Sequence, residues 1–230
     1  MSAQYIDELT RDFRLEVSKA ALVVVDLQYA SGSRHHGLGR HLEAQGRLAE
    51  AAYRFDRIEQ LVLPNTARLL DGFRQVGARV IYLTLGSELS DYADAPLALR
   101  GFFEATNNHA GTREHEIVDE IAPLPGEPVL NKTTQGAFAS SGMNSLLRSL
   151  GVEQLVMVGV STNNCVETTA REAVDRGYAA LMVADATGTC SEEFQTVTLK
   201  GFRRLWGRVA TTDEVLAEIG ASETRDALSA

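Results

Sequence analysis

Three side chains capable of acid–base or nucleophilic chemistry each close or follow a short apolar run. Asp26 ends the run VVVD, Lys132 ends VLNK, and Cys165 comes shortly after VMVGV. A carboxylate can accept the proton of a thiol, a nearby cation favours the thiolate, and the thiolate is the nucleophilic form of cysteine. Because the carboxyl ends of parallel strands lie at one edge of a sheet, the three side chains can meet there.

Each of these residues also has a plain structural interpretation. Free cysteine is commonly a small buried residue, which would account for Cys165. Lys132 would then be a solvated lysine at a strand end, and Asp26 a loop or helix-capping residue. Two counts make their positions informative: the chain has 22 basic residues of which three are lysines, and it has two cysteines.

The apolar runs predict the elements that would position these residues. The runs are rich in Val, Leu and Ile without polar alternation, which is typical of strands buried on both faces. Predicted strands cover 20–25, 79–85, 128–130, 154–160, 179–184 and 208–211, and predicted helices cover 64–75, 140–150, 165–176 and 191–205. This alternation indicates an α/β fold, a three-layer doubly wound sandwich around a six-stranded, mostly parallel sheet.

Two long segments interrupt the alternation of strands and helices. The first insert, about 27–63, starts as a Gly/His-rich loop and is predicted to become helical near Leu42. The second insert is about 86–127. Both follow predicted strands, so both belong at the carboxyl edge of the sheet, where they would serve as lid, binding or oligomer-contact segments. We expect residues 1–230 to form one domain with a core of about 20–212.

Composition and charge exclude several classes of function. The 230 residues carry a net charge of −9 and no basic stripe, which argues against nucleic-acid binding. No apolar run approaches the roughly 18 residues that a membrane span needs. The N-terminal stretch is polar, without the apolar region of a signal peptide, and two cysteines cannot build a disulfide framework. We therefore expect a cytoplasmic protein.

Three motifs together resemble the isochorismatase-like cysteine hydrolases. They are VVVDLQ, NKTTQGAF and GVSTNNCVETTAREAVDRGY, and they occur in the order that this family has. The family includes nicotinamidases, N-carbamoylsarcosine amidohydrolase, ureidoacrylate amidohydrolase and biuret hydrolase. The resemblance extends from about residue 20 to about residue 212 and implies a six-stranded, Rossmann-like fold.

The resemblance also implies a catalytic mechanism. Cys165 matches the nucleophile, Asp26 the base and Lys132 the activating cation. A cis peptide bond is implied between Val160 and Ser161, where the amides of Ser161 and Cys165 would bind an oxyanion. The implied activity is that of a cysteine-dependent amidohydrolase, which cleaves a C–N bond of a small amide, ureide or carbamoyl compound. The reaction would pass through a thioester and release ammonia or an amine.

Two further expectations concern metals and oligomers. Nicotinamidases carry an Asp-x-His pair after the second strand, but the matching stretch here has no histidine, so we expect no metal and no cofactor. His35 and His36 are an alternative ligand pair, although such a pair is more often part of a solvated loop. The resemblance and the apolar stretches GFFEA and AAYRF predict a homo-oligomer, either a dimer or a tetramer.

The two inserts and the loops after strands provide the candidate pocket residues. We expect substrate contacts from Gln28, Tyr29, Arg34, Phe103, Asn107 and Phe138. Arg34 can bind a substrate carboxylate with two hydrogen bonds, but an exposed loop arginine is an equally good interpretation.

An alternative of a different class is a non-catalytic α/β protein that binds a small molecule or a partner at the same sheet edge. A Rossmann-type oxidoreductase is not supported, because no G-x-G-x-x-G follows the first strand. The sequence does not identify which amide or ureide is the substrate.

Overall fold

Six parallel strands form the centre of the molecule. The computed structural model describes residues 12–229, with side chains through residue 221. The strands are β1 (Ala20–Val25), β2 (Arg79–Leu85), β3 (Val129–Lys132), β4 (Gln154–Val160), β5 (Ala179–Gly188) and β6 (Arg208–Ala210). Their order across the sheet is β3-β2-β1-β4-β5-β6, and all five pairings are parallel. The predicted fold class is confirmed. From β1 the chain adds β2 and β3 on one side of the sheet and then β4, β5 and β6 on the other, so the strand order reverses between β1 and β4.

Helices cover both faces of this sheet. They are α1 (Tyr29–Gly32), α2 (Gly37–Ala44), α3 (Ala52–Arg57), α4 (Leu63–Gln75), α5 (Leu97–Thr106), α6 (Ala137–Ser140), α7 (Met143–Ser149), α8 (Glu167–Asp175), α9 (Glu192–Arg203) and α10 (Thr212–Ser229). Within residues 12–229, no helix combines the length and the apolar character needed to cross a membrane.

The alternation of side chains along β1 divides the core into two layers. Leu22 and Val24 belong to one apolar cluster, which also contains residues of α4 and α10. Val23 and Val25 belong to the other cluster, with residues of α7, α8 and α9. Successive side chains of a strand point to opposite faces, and both faces of β1 are covered by helices. This is why the strand is apolar at every position.

Two strands extend beyond their predicted ends. Strand β3 continues to Lys132 because Leu85 and Lys132 pair in parallel register and Lys132 is buried. A polar residue at the end of an apolar run predicts a loop, but here an ion pair keeps the residue in the sheet. Strand β5 continues to Gly188 after a register shift in its pairing with β4.

The two inserts are more helical than predicted. The first holds α1 and α2, a 3-10 turn at Leu48–Ala51, and α3. Helix α2 begins at Gly37 rather than near Leu42. Helix α3 then runs through a π-helical turn, Ile58–Val62, into α4, so residues 52–75 are helical without interruption. The second insert holds α5 and two 3-10 turns.

The apolar stretches that predicted an oligomer interface pack largely within the chain. In GFFEA (101–105), Phe103 is fully buried, and Phe102 packs against the cluster that contains Val23 and Val25. In AAYRF (51–55), Phe55 is fully buried. The homo-oligomer therefore stays a prediction that rests on the family resemblance.

Gly159 lies where β4 pairs with the end of β1. It has a φ of 110° and pairs with Val25. A Cβ atom at this position would lie 2.0 Å from the carbonyl oxygen of Val25. Both the backbone conformation and the close approach require glycine. Gly159 thereby keeps the ends of β1 and β4 adjacent, and the residues that follow these two ends are Asp26 and Ser161.

We expect Gly159→Ala to lower the free energy of unfolding by roughly 2–6 kcal/mol. Backbone strain contributes about 1–3 kcal/mol and overpacking about 1–3 kcal/mol. Urea denaturation would measure the change. The matched control is Gly101→Ala in α5, where a new Cβ meets no atom within 4 Å. There we expect no loss and a gain of up to about 1 kcal/mol from helix propensity. A Gly159→Ala variant as stable as the wild type would contradict this account.

Candidate active site

A buried ion pair joins the ends of β1 and β3. The Nζ atom of Lys132 donates to Oδ2 of Asp26 at 2.8 Å and to the carbonyl oxygen of Thr134 at 3.3 Å. The Lys132 side chain is 0% exposed and that of Asp26 is 3% exposed. Asp26 has a φ of 51°, which aspartate tolerates better than most residues, and its amide donates to the carbonyl oxygen of Leu83 at 3.0 Å. The backbone hydrogen bond therefore fixes the position of Asp26, and the surrounding residues keep water away from Lys132.

Cys165 completes this cluster from β4. It lies in a π-helical turn, Thr162–Val166, which connects β4 to α8. Cys165 is 5% exposed and lines the same cavity as Asp26, and the charges of Asp26 and Lys132 both act on the pKa of its thiol. The structure thus brings together the three residues that the sequence analysis selected for chemistry.

Burial and neighbouring charges decide the resting protonation of the cluster. Burial raises the pKa of Cys165, the charge of Asp26 raises it further, Lys132 opposes both, and the result is about 12. Burial also raises the pKa of Asp26, although Lys132 and Cys165 lower it in part. For Lys132, burial lowers the pKa, but Asp26 and Cys165 together raise it by more. At neutral pH the thiol is therefore protonated and the lysine is charged.

This resting state differs from what the helix start and the lysine alone suggest. Those two features favour a thiolate. Desolvation and the adjacent carboxylate outweigh them, because both disfavour a second negative charge in a buried site. The neighbouring group that can accept the thiol proton is the Asp26 carboxylate. Its Oδ1 atom is buried and accepts no hydrogen bond within the described residues.

A cavity of about 300 Å³ opens onto this cluster. Its polar side is formed by Asp26, Ser161, Asn164 and Cys165 at the ends of β1 and β4. Its apolar side is formed by α2 and α5 of the two inserts, which contribute Leu38, Ala98, Leu99 and Phe102. The inserts are therefore the walls of the cavity, and the sheet edge is its floor.

The peptide bond between Val160 and Ser161 is cis, at the position that the resemblance implies. Both residues line the cavity. The Ser161 hydroxyl accepts a hydrogen bond of 2.7 Å from Nη1 of Arg54. The strand end and the first insert are thus tied together beside the thiol.

None of the six predicted substrate-binding residues lines this cavity. Gln28 is buried and connects the sheet edge to the second insert. Its Nε2 atom donates to the carbonyl oxygens of Leu85 and His115, at 3.2 and 2.8 Å, and its Oε1 atom accepts from the Leu85 amide at 2.8 Å. Tyr29 packs under the guanidinium of Arg113 at 4.0 Å, and its hydroxyl accepts from Nη2 of that arginine at 2.7 Å.

Arg34 is engaged by carboxylates of its own insert. Its guanidinium donates to Asp56 at 2.6 Å and to Glu59 at 2.8 Å and 2.9 Å. These two acidic residues neutralise the guanidinium and occupy the edge formed by Nε and Nη2, which a substrate carboxylate would otherwise bind with two hydrogen bonds. The Arg34 side chain is 25% exposed and its charge is already paired, so it is neither a fully exposed loop arginine nor part of the cavity lining.

The remaining three residues lie behind or beside the cavity walls. Phe103 is fully buried, and its neighbour Phe102 is the one that reaches the cavity. Asn107 ends α5 in the left-handed conformation, and its amide donates to Glu114. Phe138 packs against Tyr178. In the loop after β3, Gln135 lines the cavity instead of Phe138.

Arg54 is the charged residue of the cavity lining that the sequence analysis missed. It lies in α3, is 8% exposed, and lines the cavity. No motif surrounds it, but one signal was present. Arg54 precedes the buried Ile58 by four residues, which places it on the buried face of an amphipathic helix.

The chain belongs to the isochorismatase family. A family model described as the isochorismatase domain matches residues 20–214. The resemblance predicted from the three motifs is therefore confirmed.

Two relatives are ureidoacrylate amidohydrolases named RutB. The protein of Rhizobium rhizogenes is 29% identical over 93% of this chain and 88% of its own length. That of Variovorax paradoxus is 32% identical over 87% of this chain and 81% of its own length. A crystal structure of a cysteine hydrolase from Pseudomonas syringae pv. phaseolicola 1448A aligns with a TM-score of 0.77 and 21% identity, covering 96% of this chain and all of that one. At that identity the likeness shows a shared fold.

We expect Lys132→Met to lower the free energy of unfolding by about 3–5 kcal/mol, because it leaves the Asp26 carboxylate buried without its partner. The double variant Asp26→Asn/Lys132→Met should regain much of this loss, because no buried charge then remains. Urea denaturation of the single and double variants measures the coupling between the two residues.

The control is Lys19→Met, which removes an exposed lysine paired with Glu16 and Glu153. We expect it to change stability by less than about 1 kcal/mol. Equal stabilities for Lys132→Met and Lys19→Met would show that the buried pair does not constrain the fold.

Proposed function

We propose that this protein is a cysteine-dependent amidohydrolase of small amides, ureides or carbamoyl compounds. The observation that carries the proposal is that Cys165 and Asp26 line the floor of one small cavity, where the Asp26 carboxylate is paired with the buried Lys132. The family and the RutB relatives support the predicted enzyme class, a hydrolase acting on carbon–nitrogen bonds.

The first step is attack of sulfur on the substrate carbonyl. Asp26 takes the thiol proton, for which its raised pKa suits it as a base. The sulfur forms a bond to the carbonyl carbon, and the carbonyl oxygen becomes an oxyanion. Lys132 stays protonated and offsets the negative charge that passes from Asp26 to the sulfur and on to the substrate.

Backbone amides next to the thiol are suited to receive the oxyanion. We assign this role to the N–H groups of Ser161 and Cys165, both of which line the cavity. Fixed donors at the place where charge develops stabilise a transition state without reorganisation.

The second half of the reaction returns the enzyme to its resting state. The tetrahedral intermediate breaks its C–N bond, and the leaving amine or ammonia takes the proton from Asp26. This leaves a thioester on Cys165. Asp26 then accepts a proton from water, the hydroxide adds to the thioester carbonyl, and the thiol leaves with the proton that Asp26 held.

A ureide is the substrate type that the relatives favour. Both RutB proteins are named for hydrolysis of ureidoacrylate. The cavity of about 300 Å³ is at the lower end of ordinary ligand sites, which suits a molecule of that size.

We expect Cys165→Ser to lower kcat by at least about a thousandfold, because a serine hydroxyl is a much weaker acid than a thiol. Ammonia release from a panel of ureides, carbamoyl amino acids and small amides measures the loss. Rapid-quench mass spectrometry of the wild type should also detect an acyl adduct on Cys165.

Cys190→Ser is the control, because Cys190 is an exposed free cysteine that does not line the cavity. It should leave kcat unchanged. Full turnover by Cys165→Ser would exclude the thioester mechanism. No turnover of any amide by the wild type would favour a binding protein of the same fold.

The raised pKa of Asp26 predicts the pH dependence. Protonation of this carboxylate removes the base, so kcat/KM should fall as pH decreases through the Asp26 pKa. That pKa lies above the ordinary aspartate value of 3.8. The raised pKa of Lys132 keeps this cation charged on the alkaline side. Circular dichroism over the same pH range separates this loss from unfolding. An acid limb at or below 3.8, with the fold intact, would mean that another group is the base.

A further inference from the structure

One buried cation at the cavity, Arg54, makes no hydrogen bond to a carboxylate among the described residues, although it feels the charge of Asp26. Arg54 donates from Nε and Nη2 to the carbonyl oxygen of Ser31, at 3.2 and 2.9 Å, and from Nη1 to the hydroxyl of Ser161. In the part of the chain that the structure describes, it forms no salt bridge. These contacts use three of the five N–H donors of a guanidinium, so each terminal nitrogen keeps one donor.

Other cations near the site are already neutralised. Arg34 donates to two carboxylates on its own insert. Lys132 is paired with Asp26. Arg54 differs from both, because its three hydrogen bonds go to two neutral oxygens, the Ser31 carbonyl and the Ser161 hydroxyl, and the residue is buried. Burial of an unpaired charge is costly, so a ligand that brought a counter-ion to Arg54 would offset part of that cost.

The charges that line the cavity sum to a positive value. Asp26 and Arg54 are the charged residues of its lining, and Lys132 cancels the charge of Asp26. The thiol of Cys165 is neutral. Arg54 therefore makes the site positive within a chain whose net charge is −9. A neutral substrate would leave this charge uncompensated, whereas a carboxylate would neutralise it.

We propose that Arg54 is a specificity residue which binds a carboxylate of the substrate, so that the enzyme acts on ureides or carbamoyl compounds carrying an acidic group. This inference rests on the proposed function and names the substrate class for the same cavity. The carboxylate would accept from the two remaining donors of the guanidinium, and a guanidinium matches the planar shape of a carboxylate. The hydrogen bond to Ser161 links this end of the cavity to the strand end that carries the proposed oxyanion site.

The experiment compares substrates that have similar size but differ in charge. N-carbamoylglycine and 3-ureidopropanoate carry the carboxylate, and isobutylurea and isopentylurea replace it with an isopropyl group. Ammonia release is followed for the wild type, Arg54→Gln, Arg54→Lys and Arg57→Gln. Arg57 is the matched control, because it also donates to backbone carbonyls from α3 but does not line the cavity. Circular dichroism and a thermal melt confirm that each variant is folded.

The wild type should prefer the acids in kcat/KM. Arg54→Gln should lose roughly 10- to 100-fold on the acids, mainly through KM, which corresponds to removal of a charge-assisted contact. It should lose little on the alkylureas. Arg54→Lys should recover part of the preference, and Arg57→Gln should keep all of it. An equal loss on acids and alkylureas with Arg54→Gln would overturn the inference and make Arg54 a positioning residue for Ser161.

A binding measurement separates this inference from the proposed function. Isothermal titration of N-carbamoylglycine into Cys165→Ser, with and without Arg54→Gln, needs no turnover. If binding weakens at least tenfold in the double variant, the carboxylate site is supported, whether or not any compound releases ammonia. Absence of ammonia release from every compound would remove only the amidohydrolase proposal. Equal binding to both variants overturns the inference, whatever the activity.

Discussion

The structure depends on one ion pair that crosses the sheet. Strand β2 lies between β3 and β1, so the Lys132 side chain spans its end to reach Asp26. Two strand spacings are about 10 Å, which only a long side chain can cross. Both partners are out of water, and the desolvation of two charges is repaid only by good geometry. The carboxyl ends of β1 and β3 must therefore stay in register, and this constraint defines the floor of the cavity.

The same pair sets the chemistry of the cysteine. A lone lysine beside Cys165 would favour the thiolate, and a lone aspartate would oppose it. Together in a dry environment they leave the thiol protonated and a carboxylate oxygen without a hydrogen bond. The groups proposed as nucleophile and base are thus adjacent at rest. In the proposed mechanism, the sulfur becomes negative only when a substrate carbonyl is there to receive that charge.

Sequence reasoning succeeded where local pattern decides structure and failed where tertiary packing does. The strands at 20–25, 79–85 and 154–160 have the predicted bounds, because both faces of the sheet are covered and every position is apolar. The predicted end of β3, residue 130, was wrong because the strand is extended to Lys132, whose partner Asp26 lies far away in the sequence. The cavity walls belong to the inserts, whose conformation follows from contacts such as Gln28 with the second insert and Arg34 with Glu59. Helical spacing places Arg54 on a buried face, but no local pattern shows that this face meets a cavity, and none shows that Arg34 is paired with Asp56 and Glu59.

The uninterrupted helix over residues 52–75 connects the apolar core to the cavity. Its α4 part packs into the apolar core through Leu69 and Phe73, while its α3 part presents Arg54 to the cavity. The π turn between them holds one residue more than an α turn. That extra residue rotates α3 by about 100° around the helix axis relative to an unbroken α-helix. Deleting one residue from Ile58–Val62 would leave the core face of α4 in place and turn the guanidinium away from the cavity. The core fixes the rotation of α4 about the helix axis, and one extra residue in the π turn then fixes the rotation of α3. The side of α3 that faces the cavity therefore depends on the length of this turn.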